Sequence, residues 1–175
     1  MNENYTKAML YAYPNLEAVA EQIDELVEKR ALVSINDFSP ALEQCEKIVE
    51  LTFNKDLLFS LKIILEEILN SLTSIERDCL DYKYFKLKPK EYYIDFDAES
   101  RTYFRRQNKL IERISIKLEK KGYDNKWYEE NYLKMDFFSE LNKRVIEYEK
   151  SIKKRKKAHS LRIQNNCKVY KRNIA

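Results

Sequence analysis

An all-α fold is what this sequence predicts, on three observations: a single glycine, apolar residues spaced three and four apart, and capping signals at the ends of those runs. Gly122 is the only glycine in 175 residues, and there are three prolines. A β-rich fold or a nucleotide-binding α/β fold needs glycine repeatedly, at turns and where backbone approaches phosphate. Helices need none. The same count removes the P-loop and the dinucleotide fingerprint. At 44% hydrophobic and 35% charged, the chain can bury a real core beneath a heavily charged surface.

The net charge of +4 conceals a gradient. Residues 1–72 hold 6 basic and 13 acidic side chains, residues 73–149 hold 17 and 16, and residues 150–175 hold 10 basic and no acidic ones. An acidic front is joined to a basic back, and the back is where a polyanion would bind. No apolar window is long enough for a membrane span, and the first residues lack the basic start and apolar run of a secretory signal. Cys45, Cys79 and Cys167 are odd in number and widely spaced, which fits reduced thiols in a cytoplasm better than disulfides or a zinc site. Cys45 and Cys79 sit among apolar helical positions and are expected to pack there.

Three segments follow from the patterning: an acidic helical bundle over 1–71, a second unit over 72–122, and C-terminal helices with a basic tail over 123–175. In the first, Pro14 follows a short opening segment and suits a first helical turn. Leu16, Val19, Ile23 and Leu26 then make an amphipathic stripe running to about Leu32. Ser39-Pro40 repeats the start signal before Leu42, Cys45, Ile48 and Val49. Asn54 is positioned to cap a third helix holding Leu57, Leu58, Leu61, Ile64, Leu65, Ile68 and Leu69. These three helices are expected to form a small bundle of their own.

The second unit opens on Thr73-Ser74-Ile75-Glu76, a capping box in which hydroxyl and carboxylate each satisfy a free N–H. Its helix carries Ile75, Cys79, Leu80, Tyr82 and Phe85 and is expected to stop near Lys88-Pro89. A short segment, Lys90 to Ile94, leads to Asp97, an N-cap for a long helix from Ala98 to Lys121. Two lysines and then Gly122 end that helix, cations at the negative pole and glycine where a left-handed residue is wanted. In the third segment Phe138, Leu141, Val145, Tyr148 and Ile152 alternate three and four apart from a start near Asp136. Barely two heptads long, this seam is expected to pack on the bundle.

The Ala98–Lys121 helix carries the candidate site. On a wheel, Phe104, Ile111, Ile114 and Leu118 form a buried stripe, with Thr102, Arg105, Arg106, Lys109, Arg113 and Lys120 opposite. Between Ser100 and Lys121 stand 8 basic residues against Glu112 and Glu119. Any soluble helix shows charge opposite its apolar stripe, but here the sign is one-sided. The N-terminal half also carries Arg101, Thr102 and Gln107. Arginine can pair in bidentate fashion with guanine and glutamine with adenine, while lysine neutralises phosphate. The cluster Lys153, Lys154, Arg155, Lys156 and Lys157 reads equally as a flexible phosphate-seeking arm and as the solvated, cationic end of a helix.

Nothing here resembles catalytic machinery, so neither an enzyme nor a cofactor is expected. His159 is the only histidine, and it has no neighbouring ligand or orienting carboxylate. Asp95, Asp97 and Glu99 lack calcium-loop spacing and its glycine. The aromatic pairs Tyr92-Tyr93, Tyr103-Phe104, Trp127-Tyr128 and Phe137-Phe138 are expected to bury one member each.

The stretch from Leu72 to Phe85 resembles the first helix of region four of bacterial sigma factors, and that from Phe96 to Gln107 resembles its recognition helix. Ser100-Arg101-Thr102-Tyr103, followed by Arg105 and Arg106, is similar to small phage-type regulators of low-GC Gram-positive bacteria. The resemblance covers Leu72 to Leu118. It implies a helix-turn-helix whose recognition helix lies in the major groove, with Arg101, Thr102, Arg105, Arg106 and Lys109 towards the DNA. Between the two helices Lys90–Ile94 is bulkier than the family's short helix, and the turn glycine is absent. The expected function is a DNA-binding transcriptional regulator. Two alternatives stand beside it: an accessory or directionality factor for site-specific recombination, and a protein-interaction module docking on RNA polymerase or a sigma factor. The expected partner is double-stranded DNA, with RNA polymerase, a recombinase or a second copy of the chain as further candidates.

Overall fold

The computed structural model describes residues 1–33, 41–85 and 100–172, with side chains read in 1–32, 41–85 and 105–155. Every regular element among them is helical: α1 Glu3–Ala12, a 3₁₀ turn Tyr13–Asn15, α2 Leu16–Val33, α3 Ala41–Asn70, α4 Ser74–Leu80, a π-helical turn Asp81–Phe85, α5 Ser100–Lys120, α6 Asn125–Asn131 and α7 Asp136–Arg172. None of these helices is long and apolar enough to cross a membrane. The Ser39-Pro40 start, the Lys88-Pro89 stop, the Lys90–Ile94 segment and the Asp97 cap lie outside the described residues.

The front is not a separate three-helix bundle. The opening segment is itself a helix, capped by the Asn2 side chain accepting from the Asn4 N–H at 3.0 Å. It buries Thr6, Ala8, Met9, Leu10 and Ala12 against α5 and α7. The Met1 amine meets Glu119 at 2.8 Å, Thr6 and Ser115 share a hydrogen bond of 2.8 Å, and Lys7 meets Glu149 at 2.8 Å. α2 and α3 instead form an antiparallel hairpin, tied by Asp24–Lys55 at 2.7 Å and by Glu17–Lys62. One hydrophobic cluster joins residues from all three sequence segments, from Ala8 through Leu61 and Ile111 to Val145.

α3 is one 30-residue helix, not two, and Asn54 is no cap. The reason is periodic: Leu51, Asn54, Leu58, Leu61, Leu65 and Ile68 alternate three and four apart, so Asn54 occupies one place in an unbroken stripe. A polar side chain there leaves the backbone ladder intact. In the first half of the helix Leu42, Cys45 and Val49 are exposed, contrary to the packing role expected of Cys45, whereas Cys79 is buried.

Thr73 and Glu76 form the expected capping box. The Glu76 carboxylate accepts from the Thr73 N–H at 3.1 Å, and the Thr73 hydroxyl accepts from the Glu76 N–H at 3.4 Å. The Thr73 N–H, and after it the Arg113 guanidinium, hold Glu76 below the usual carboxylate range. Thr73→Ala should cost about 1 kcal/mol of stability, and thermal unfolding indistinguishable from the parent would show that the box is idle. Past α4 the π turn inserts about one residue into the helical repeat. Cys79, Leu80, Tyr84 and Phe85 face the core, while Ile75 and Tyr82, expected on the apolar side, are exposed.

α5 ends as its sequence requires. The Tyr123 N–H donates to Leu118 O and the Gly122 N–H to Glu119 O, both at 3.0 Å, and Gly122 takes φ +91°. This is the Schellman closure. α6, which the apolar spacing did not mark, is capped by Asp124, whose carboxylate accepts from the Trp127 N–H at 2.8 Å. The two aromatic pairs within the described side chains each bury one member, Tyr128 and Phe138. The expected seam of α7 is only partly buried: Phe138 and Val145 are covered, and Tyr148 is exposed.

Tyr5, Tyr128, Tyr132 and Phe138 form an aromatic cluster, with Tyr5 and Tyr128 stacked at 4.6 Å between centroids. Burial pushes the Tyr128 and Tyr132 hydroxyls far above the ordinary tyrosine range. A raised folded value means the unfolded chain loses these protons first. Their stabilising contribution is thus complete below about pH 10 and lost as pH climbs towards the raised values. Exposed tyrosines such as Tyr82 and Tyr148 should ionise first, and circular dichroism should show unfolding in step with the later rise in tyrosinate absorbance. Full ionisation of both tyrosines in a still-folded protein would contradict it.

Candidate nucleic-acid interface

α5 buries Leu110, Ile111, Ile114, Ser115 and Leu118 on one side and exposes Arg105, Arg106, Lys109, Glu112, Arg113 and Lys120 on the other. The exposed face is not uniform. In its C-terminal half three cations are tied to neighbouring segments: Arg113 pairs with Glu76, Lys117 donates to the Ser71 hydroxyl at 2.7 Å, and Lys121 meets Glu67 at 2.5 Å, while Lys120 stays exposed. Arg105, Arg106 and Lys109, in the N-terminal half, form no ion pair with any described residue. Arg101 and Thr102 lie in the first turn, and their side chains, like that of Phe104, fall outside the described ones.

Gln107 requires a correction. It is 1% exposed and cannot reach a base edge in this structure. At 100° per residue it falls between Ile111 and Ile114, so it belongs to the buried stripe and not to the cationic face. Its Oε1 accepts from the Lys83 ammonium at 3.0 Å, which satisfies that oxygen within the body. Burial, and after it the charge of Lys7, lowers the Lys83 pKa, against the opposing pull of Glu149. No apolar or charge pattern around position 83 marks this lysine in the sequence, because its role depends on which helices meet there. Arg113 is likewise partly committed, since it ties α5 to the capping carboxylate of α4.

The basic cluster after the α7 seam is helix, not irregular arm. The α7 backbone continues unbroken to Arg172, and Lys150, Lys153, Lys154 and Arg155 are exposed upon it. The side chains of Lys156 and Lys157 fall outside the described ones. Packing on α1 sets the relation between the two cationic groups. Met1 meets Glu119 and Thr6 meets Ser115, so α5 runs antiparallel to α1. Lys7 meets Glu149, and Tyr11 lies beside Leu141, Val145 and Tyr148, so α7 does the same. α5 and α7 therefore point the same way. Lys153–Arg155 stand near the level of Glu119, while Arg105–Lys109 lie roughly 20 Å back along the axis at 1.5 Å per residue.

Among the described side chains, the arrangement presents exposed positive charge at two places along one direction. No protein-family model, no curated protein and no solved structure matches this chain.

Proposed function

We propose that the protein binds double-stranded DNA as a regulator of transcription, with the N-terminal half of α5 in the major groove. The observation that carries this reading is the division of the α5 face. Its C-terminal cations are largely spent on Glu76, Ser71 and Glu67, while Arg105, Arg106 and Lys109 stand exposed and unpaired among the described residues. Arg105 and Arg106 supply bidentate donors for base edges, and Lys109 a point charge for phosphate. Gln107 has no part in readout, and Arg113 serves the fold first. The sigma-region-four resemblance of Leu72–Leu118 supports the same assignment.

Fluorescence anisotropy against labelled genomic fragments, at two salt concentrations, tests the reading. Binding should be tight at low salt, weaken linearly in log–log form, and remain selective among fragments at the higher salt. An absence of binding at low salt would end the proposal.

The α7 extension should add affinity and little selectivity. Ending the chain after Ile152 removes nine cations and leaves Phe138 and Val145 in place, so the fold should hold. The salt slope should become shallower by close to one unit for each phosphate that the extension had neutralised. An unchanged slope would place the extension off the duplex.

A further inference from the structure

The N-terminal half of α3 bears an apolar stripe that no described residue covers. Leu42, Val49 and Phe53 are 72%, 67% and 57% exposed, and Cys45 is exposed between them. At 100° per residue the four fall within about 80° of one another, along roughly 16 Å of helix. Apolar residues scattered singly over a surface are ordinary; a continuous stripe marks an interaction site.

The border of the stripe states what kind of partner fits. Glu46 and Glu50 line the same groove as Cys45, Val49 and Phe53, on one border of the stripe, and at 100° per residue Asp56 falls at the stripe's C-terminal end, in line with Cys45 and Val49. Glu46 and Glu50 are like charges at i,i+4, which repel, and neither they nor Asp56 form an ion pair with a described residue. On α3 itself Lys47 is held by Glu43 and Lys55 by Asp24; Arg30 of α2 lines the adjoining pocket with Lys47 and Glu50, on the side away from the stripe.

We propose that this stripe docks a cationic amphipathic helix of a partner protein. Its apolar ridge would cover Val49 and Phe53, and its lysines or arginines would meet Glu46, Glu50 and Asp56. This is helix-in-groove recognition with charge setting the choice of partner. Charge also decides against a second copy of the chain. An antiparallel pairing centred on Val49 would set Cys45 neatly against the other chain's Phe53, but it gathers Glu46 and Glu50 of both copies along one seam. A parallel pairing sets Asp56 against Asp56. The site lies apart from α5 and stands whether or not α5 binds DNA.

The test uses the full chain and two synthetic amphipathic helices, one with leucines flanked by lysines and one with the lysines replaced by glutamates. The lysine peptide should bind and the glutamate peptide should not. Val49→Asp, at an exposed position, should keep the circular dichroism spectrum and weaken the lysine peptide at least tenfold. The double variant Glu46→Lys, Glu50→Lys carries the test independently and should reverse the preference between the two peptides. Lysine-peptide binding that neither variant alters would overturn the proposal, since the peptide would then be held by charge elsewhere. So would a dimer in sedimentation that Val49→Asp dissociates, which makes a second copy the occupant. Binding to phosphatidylcholine vesicles that Val49→Asp abolishes would overturn it in favour of a lipid surface.

Discussion

Changing Arg105, Arg106 and Lys109 together to glutamate should abolish selective DNA binding and leave the protein folded. None of the three forms an ion pair with a described residue, so the change breaks no salt bridge within the described body, and exposed substitutions of this kind seldom move stability by more than about 0.5 kcal/mol. Each arginine that reads a base contributes roughly 1 to 3 kcal/mol of discrimination. Losing both weakens the specific complex by about thirtyfold to 10⁴-fold at 1.4 kcal/mol per decade, before repulsion by the new carboxylates is counted. The single variants separate the roles. Arg105→Ala or Arg106→Ala should relax preference at one base pair, whereas Lys109→Ala should weaken all sequences alike. A folded triple variant that binds its target as the parent does would remove α5 as the reader and leave the α3 stripe as the functional surface.

Ile114→Ala should have the opposite signature. Ile114 is fully buried on the far side of the same helix, so truncation leaves a cavity among residues that relax only in part. The expected loss is about 2 to 5 kcal/mol, a fall in Tm of roughly 4–20 °C for a chain of this size. The charged face is untouched, so the protein that remains folded well below Tm should bind DNA with the parent's affinity and salt dependence. The wheel alone would choose Phe104 for this experiment; Ile114 is the position whose burial the structure describes. A parent-like Tm for Ile114→Ala would mean that α5 presents a different face to the core, and Arg105 and Arg106 would then have to be reassigned.

What the sequence by itself determined was the local structure. The all-α class follows from one glycine and three-four apolar spacing. The Thr73–Glu76 box and the Gly122 closure were legible because their hydrogen bonds reach no more than five residues along the chain. The cationic face of α5 was legible for the same reason, since a wheel needs only the residues of one helix. Tertiary structure alone decided the rest. It placed α1 between α5 and α7 instead of in a front bundle, because Thr6 and Lys7 find partners more than a hundred residues away. It carried α3 through Asn54, a position whose stripe continues against α2. It turned Gln107 inward, where Lys83 arrives to meet its side-chain oxygen, and drew Arg113 from the candidate surface to Glu76. It left Leu42, Cys45, Val49 and Phe53 uncovered by any described residue. In each case the deciding quantity is which surfaces of separate helices meet, and a periodicity within one helix carries no term for that.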